Sequence, residues 1–429
     1  MKTVIMAGGK GTRISSVATD IPKPMIQISG MPVLEREIVC LRDQGFTDII
    51  ITVGYLKHII IDYFGDGSKV SPSTGRPFGV NIEYYEETEP LGNAGALFKL
   101  KEKLTEDFFL LNADAVFDID FNRFAEYHKR IGGLVTLFTH PNSHPYDSGL
   151  VIADDNCIVE KWLTKEDERP KYYSNRVNAG LHILSPEVLN RIIDSPKVDL
   201  DRQILKPLAG TGKMFVYDSP EYVKDMGTPD RYKAVYSDFK NGIIQKKNLK
   251  RKQKAIFLDR DGTINKYVGF LRNIDDFELI DGVADAIKLI NGSEYLAIVI
   301  TNQPVIARGE LSYLELQEIH KKMETLLGLQ GAYLNGIYFC PHHPHKGYDR
   351  EIAELKKDCE CRKPKPGLLF KAAEDFNISL SDSWMIGDSD TDIKAGIAAG
   401  CHTAYIGNEN YFQDIIGSSL TDVVSKIIK

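Results

Sequence analysis

Only six cysteines occur in 429 residues, and three of them, Cys340, Cys359 and Cys361, fall in one short segment. So few thiols exclude a disulfide-dense scaffold, and the clustering favours a metal site over cross-links in a reducing compartment. The scattered Cys40, Cys157 and Cys401 read as small buried apolar residues. No apolar run reaches the roughly 18 residues of a membrane span. Met1-Lys2-Thr3-Val4-Ile5 leads straight into a glycine loop without a signal-peptide core, so a cytoplasmic protein with no membrane partner is expected. A basic surplus is lacking too, since the net charge of −7 argues against a general nucleic-acid binder. Low-complexity tracts and solenoid repeats are absent, while 43% hydrophobic and 26% charged residues are ordinary for a folded chain.

A single core stops growing near ~250–300 residues, so two domains are expected. Apolar strand-like runs alternate with helical patterns from Thr3–Met6 to Phe121–Lys129, which predicts an α/β fold with a largely parallel sheet covered by helices. Shorter β-like runs over 134–226 add strands that make this first sheet mixed, and a helix over Pro229–Lys240 closes the pattern. The basic stretch 243–253 reads as a solvated linker. The α/β rhythm restarts at Ala255–Leu258, dividing the chain into domains 1–242 and 254–429 around that linker.

Near the N-terminus, Gly8, Gly9, Gly11, Thr12 and Arg13 follow a strand and lead to Pro22-Lys23-Pro24. Consecutive glycines let backbone N–H groups close on phosphate oxygens, and Arg13 and Lys23 supply positive charge, which suits a nucleoside triphosphate. A glycine turn alone carries little weight. With its company, the segment resembles the signature of the sugar-phosphate nucleotidyltransferases, over roughly residues 1–240. That resemblance implies a Rossmann-like domain in which the loop Glu89 to Gly95, with Gly92, lies against base and ribose. It assigns Asp114 and Asp225 to Mg²⁺, and Arg13 and Lys23 to the triphosphate and the α-phosphoryl region. Glu160, Lys161 and Asn178 fall to the sugar phosphate. Ala113 and Trp162 depart from the usual pattern of that family.

Beyond residue 250, Asp259-Arg260-Asp261-Gly262-Thr263 ends an apolar strand; Thr301-Asn302, Arg362-Lys363-Pro364 and Asp388-Ser389-Asp390-Thr391-Asp392 follow in order. A lone Asp-x-Asp is usually a solvated turn. The set of four resembles the motifs of the haloacid-dehalogenase phosphatase superfamily, which implies a Rossmannoid domain with Asp259 as nucleophile and Asp261 as acid and base. Mg²⁺ is implied on Asp259, the Asp261 carbonyl and Asp388, with Asp390 and Asp392 in support. Thr301, Asn302 and Lys363 are implied to hold phosphate, with Lys365 the alternative clamp, and Arg308 and Arg362 to grip a far phosphate. Cys340, His342, Cys359 and Cys361 resemble the structural Zn²⁺ loop of the heptose-bisphosphate and histidinol phosphatases. His343 and His345 read as surface residues.

Together the resemblances imply a bifunctional enzyme of nucleotide-activated heptose synthesis. It would remove the 7-phosphate of D-glycero-D-manno-heptose 1,7-bisphosphate and transfer GMP from GTP to the heptose 1-phosphate, giving the α-anomeric GDP-heptose. GTP is implied by kinship with guanylyltransferases. The alternatives are a hexose 1-phosphate nucleotidyltransferase fused to a different sugar phosphatase or histidinol-phosphate phosphatase, and a non-catalytic nucleotide-sugar sensor.

Overall fold

The computed structural model describes residues 1–9, 20–87, 92–192 and 198–428. They form two units, Met1–His140 with Val151–Leu163 and Asn178–Asn248, and Pro141–Leu150 with Thr164–Val177 and Leu249–Lys429.

In the first unit the strand order is Val159–Leu163, Leu150–Ala153, Val177–Leu184, Phe108–Asn112, Thr3–Met6, Asp48–Val53 and Asn81–Glu86, with Val135–His140 and Met214–Asp218 branching from Val177–Leu184. Thr3–Met6 is parallel to both neighbours, whereas Val177–Leu184 is antiparallel to Phe108–Asn112, so the sheet is mixed as expected. Ile5, Ile49, Ile51, Phe109 and Leu111 pack on one face, and Val4, Ile50, Phe108 and Leu110 on the other. Side chains alternate between faces, so a strand covered on both sides must be apolar throughout. A separate ribbon pairs Tyr222–Asp225 antiparallel with Ala115–Asp118, setting Asp225 opposite Ala115.

The second unit has an all-parallel sheet in the order Gly336–Cys340, Tyr295–Asn302, Lys254–Leu258, Trp384–Gly387, His402–Ile406, Ile415–Gly417. The chain winds outward in one direction from Lys254–Leu258, then returns to the other side of it with Trp384–Gly387. The carboxyl ends of those two strands therefore flank the switch point where open parallel sheets bind ligands. Asp259 and Asp388 follow these two strands directly.

Two features differ from the sequence expectation. The second unit also takes in 141–150 and 164–177, because the helix Tyr313–Leu329 offers partners to their backbone. The Tyr173 N–H donates to Thr325 Oγ1 at 2.9 Å, the Thr325 hydroxyl donates to the Tyr173 carbonyl at 3.1 Å, and the Asn175 N–H donates to Glu324 at 3.2 Å. The basic stretch is also largely folded. Ile243, Ile244 and Leu249 bury their apolar side chains and take Lys247 and Asn248 inward with them. Asn248 Nδ2 donates to Asp118 at 2.6 Å, and burial pushes the Lys247 ammonium down to about 8. Only 250–252 remain exposed in a row. Among the described residues no helix is long and apolar enough to cross a membrane. Cys401 is buried, while Cys40 and Cys157 are half-buried.

Candidate active sites

In the first unit Lys23 joins two chain segments that are far apart in sequence. It is buried in a short turn after Pro22, and its ammonium lies 2.6 Å from Asp114 Oδ2 and 3.2 Å from Asp225 Oδ1. The ribbon register makes this possible, and the Met226 N–H donates to the Asp114 carbonyl across it. Arg231, opposite the far oxygen of Asp225 at 2.5 Å, was not anticipated from the sequence. Burial pushes Asp225 upward, but Lys23 and Arg231 outweigh it and leave the carboxyl below its usual range. Two half-exposed carboxylates converging on one cationic point suit a hard divalent ion with oxygen ligands. Gly180 has φ +74°, and a Cβ there would stand 2.5 Å from Asn112 Nδ2, so glycine is required where that strand passes the site. The Asn178 carboxamide oxygen accepts from the Gly180 N–H and meets His182 Nε2. Glu160 and Lys161 are exposed neighbours on Val159–Leu163. Gly8 and Gly9 follow the strand Thr3–Met6, and Gly92 begins the helix Gly92–Lys99. Gly11, Thr12, Arg13 and Glu89 lie outside the described residues.

In the second unit Lys363 Nζ lies 2.7 Å from Asp259 Oδ1 and 2.6 Å from Asp392 Oδ1, and donates to the Ile300 carbonyl at 2.7 Å. Lys365 instead faces Asp358 and Glu360, so Lys363 is the residue that reaches Asp259. Burial first, then the Asp392 charge, push Asp259 up to about 7 despite Lys363, and burial with Asp392 raises Asp388 to about 6. Ligand atoms of Asp259, Asp388 and Asp392 all lie within 4.8 Å of one another. Such crowding of acids fits a divalent cation. One Asp392 oxygen also caps its helix through the Ser389 N–H and hydroxyl. Gly262, at φ +86°, admits Asp388, because a Cβ there would stand 2.0 Å from Asp388 Oδ2. The Asp261 carboxylate turns to Arg260, Asn265 and Gln303. The Asn302 side chain pairs with the backbone of Lys363, at 3.0 and 3.1 Å, and so pins that loop to its strand.

Cys340, His342, Cys359 and Cys361 converge as the sequence suggested. The sulfurs are 3.2–3.5 Å apart, and His342 Nδ1 is 3.2 Å from Cys361 Sγ. A tetrahedral zinc thiolate with Zn–S near 2.3 Å needs sulfurs about 3.8 Å apart, so three thiols and one imidazole nitrogen fit with a slight expansion. His343 is not a surface residue. It is buried with Nε2 3.3 Å from Arg308, and burial, with the charges of Arg308, Arg362 and Lys356, holds it below its usual range. Arg308 is stacked between Phe270 at 3.9 Å and Tyr348 at 4.6 Å. Arg362 donates to the His342 carbonyl, and Lys356 packs 4.2 Å over Tyr348. Two buried cations, Arg308 and Lys356, and the half-buried Arg362 lie around one histidine, a concentration of positive charge that favours an anion. Lys356 was missed because an isolated lysine carries no spacing signal.

Comparison with known proteins accords with this geometry. A nucleotidyl transferase family profile matches residues 2–241, and a HAD-hydrolase-like profile matches residues 360–422. A mannose-1-phosphate guanyltransferase from Candida glabrata is 31% identical over 240 residues, covering 54% of this chain and 63% of that protein's length. A D-glycero-beta-D-manno-heptose-1,7-bisphosphate 7-phosphatase from Haemophilus influenzae is 45% identical over 147 residues, covering 34% of this chain and 77% of that protein. The crystal structure of HddC from Yersinia pseudotuberculosis, complexed with GMP-PN, is 27% identical over 56% of this chain and 99% of its own, with a TM-score of 0.46. The chain thus belongs to the nucleotidyl transferase family over its first 241 residues, fused to a HAD-like domain of the D-glycero-beta-D-manno-heptose-1,7-bisphosphate 7-phosphatase family.

Proposed function

We propose that the chain carries out two consecutive steps of heptose activation, freeing heptose 1-phosphate from its 1,7-bisphosphate and joining it to GMP from GTP. The observation that carries the reading is the recurrence, in both units, of a buried lysine held between two aspartates, at Lys23 and at Lys363. A molecule that only bound nucleotide sugars would have no use for a nucleophile so arranged.

In the phosphatase unit an Asp259 oxygen attacks phosphorus, and the bond from phosphorus to the C7 oxygen breaks. Asp261 gives its proton to the departing alkoxide. The Asp261 carboxylate then takes a proton from water, whose oxygen displaces Asp259 and releases phosphate. Lys363 holds Asp259 in place and offsets its charge, and Thr301 donates to the phosphoryl group. Arg308, Lys356 and Arg362 suit the remaining phosphate at C1. In the first unit a heptose 1-phosphate oxygen attacks the α-phosphorus and pyrophosphate leaves, with Lys23 beside the developing charge. Divalent ions held by Asp114 with Asp225, and by Asp259 with Asp388 and the Asp261 carbonyl, would neutralise phosphate oxygens. The thiols and His342 would hold zinc as a fold-stabilising ion.

The test supplies the purified chain and Mg²⁺ with D-glycero-D-manno-heptose 1,7-bisphosphate, as separate α- and β-anomers, and each nucleoside triphosphate in turn. Phosphate release followed by GTP-dependent pyrophosphate release is expected, the α-anomer giving GDP-heptose. Phosphate release only from histidinol phosphate would overturn the heptose reading. The mannose-1-phosphate guanyltransferase kinship favours a second reading, transfer of GMP to a hexose 1-phosphate. Faster pyrophosphate release with mannose 1-phosphate than with heptose 1-phosphate would select it.

A further inference from the structure

Gln303 stands just after the strand Tyr295–Asn302 and is 2% exposed. Its Nε2 donates to Asp261 Oδ2 and to Thr301 Oγ1, each at 2.9 Å. A carboxamide nitrogen has two N–H groups, so both bonds exist together. Their consequence for Thr301 is one of polarity. A hydroxyl has a single proton, and one that accepts from an amide must direct that proton elsewhere. Thr301 is buried, and no other hydrogen bond of its hydroxyl occurs among the described residues. The proton is thereby left for a phosphoryl oxygen.

The same amide completes a cradle around Asp261. Arg260, wholly buried, donates to both carboxylate oxygens at 2.9 and 2.8 Å, and Asn265 Nδ2 donates to Oδ1 at 3.0 Å. Arg260 is braced from behind by His320 Nε2 at 3.3 Å. Arg260 and Asn265 between them serve Oδ1, whereas Gln303 alone links the carboxylate to the phosphate-binding strand end.

We infer that Gln303 is a positioning residue for the phosphatase step: one carboxamide holds the acid Asp261 and sets the Thr301 hydroxyl as a donor to the transferring phosphoryl group. The inference rests on the phosphatase reading proposed above. A leaving group that departs without a proton does not need a well-placed acid, whereas an alkoxide does. Gln303→Leu should therefore lower kcat for heptose 1,7-bisphosphate by about 10²-fold. For p-nitrophenyl phosphate the first-turnover burst of p-nitrophenol, which reports attack by Asp259 before Asp261 acts on water, loses only the Thr301 share and should slow by no more than about tenfold. In an Asp261→Asn background the additional loss on the bisphosphate should shrink to that same smaller factor, since both changes act through one group.

Should Gln303→Leu lower the melting temperature by more than a few degrees, Gln303→Met, unbranched and of similar length, replaces it. Equal losses on both substrates, or losses that multiply with Asp261→Asn, would reduce Gln303 to a packing residue and overturn the inference. A wild-type chain that hydrolyses neither phosphate would instead sink the phosphatase reading, and the inference with it.

Discussion

Lys23 and Lys363 make nearly the same pair of contacts, yet Asp225 beside the first and Asp259 beside the second shift in opposite directions. Lys23 bridges carboxylates that are each 40% exposed, and Asp225 falls below its usual range. Lys363 bridges carboxylates at 14% and 0%, and Asp259 rises to about 7. Coulomb attraction is present in both places, so solvent and neighbours decide. Around Asp225, Lys23 and Arg231 exceed the cost of partial burial; around Asp259, deeper burial and the charges of Asp392 and Asp261 exceed one lysine. The open pair suits a site that admits a large polyanion with its cation. The sealed pair suits a nucleophile that must be fixed in one orientation and protected from water.

The comparison breaks most directly through its two ends. Asp259→Asn should cut phosphate release by about 10⁴-fold or more and leave GMP transfer to supplied heptose 1-phosphate within twofold. Lys23→Ala should lower that transfer by roughly 10²–10³-fold and spare phosphate release. Both activities, assayed on each variant, would refute two separate chemistries if they fell together. Next in size, Cys361→Ser should lose zinc by metal analysis and destabilise the second unit by roughly several kcal/mol, with the calorimetric transition of the first unit unmoved. Gly262→Ala should cost about 1–3 kcal/mol, and, by crowding Asp388, raise the Mg²⁺ concentration needed for half-maximal phosphate release. An unchanged Mg²⁺ requirement would argue against that approach.

The smallest effect concerns the first unit alone. Burial pushes His182 from 6.5 down to about 4. Between those pH values the unfolded chain binds a proton that the folded chain refuses, so stability falls as pH drops through the window. The slope reaches at most about 1.4 kcal/mol per pH unit. His182→Gln should flatten this part of the urea-unfolding profile between pH 6.5 and 4.

The fold was legible where strands are covered on both faces. The strand Thr3–Met6 and the helix Pro229–Lys240 have the bounds read from the sequence. Motif residues on one loop, such as Asp259 with Asp261 or Cys359 with Cys361, were legible because chemistry constrains their spacing. The ribbon of Ala115–Asp118 with Tyr222–Asp225 was not, since each strand is four residues long and lacks clean alternation. Neither were Arg231, Lys356, Asp392 as a partner of Lys363, or Gln303 as a bridge, whose roles depend on neighbours from distant segments.

The sequence by itself determined the two α/β units, the order of their motifs and the kinds of donor each would use, because periodicity and local chemistry act over a few residues. Tertiary structure alone decided that Asp114 meets Asp225 across Lys23 and that Asp259 is sealed while Asp225 stays wet. It also decided that 141–150 and 164–177 belong with the second unit. Burial and charge proximity arise only when distant segments pack together, and those two quantities set what each acid does.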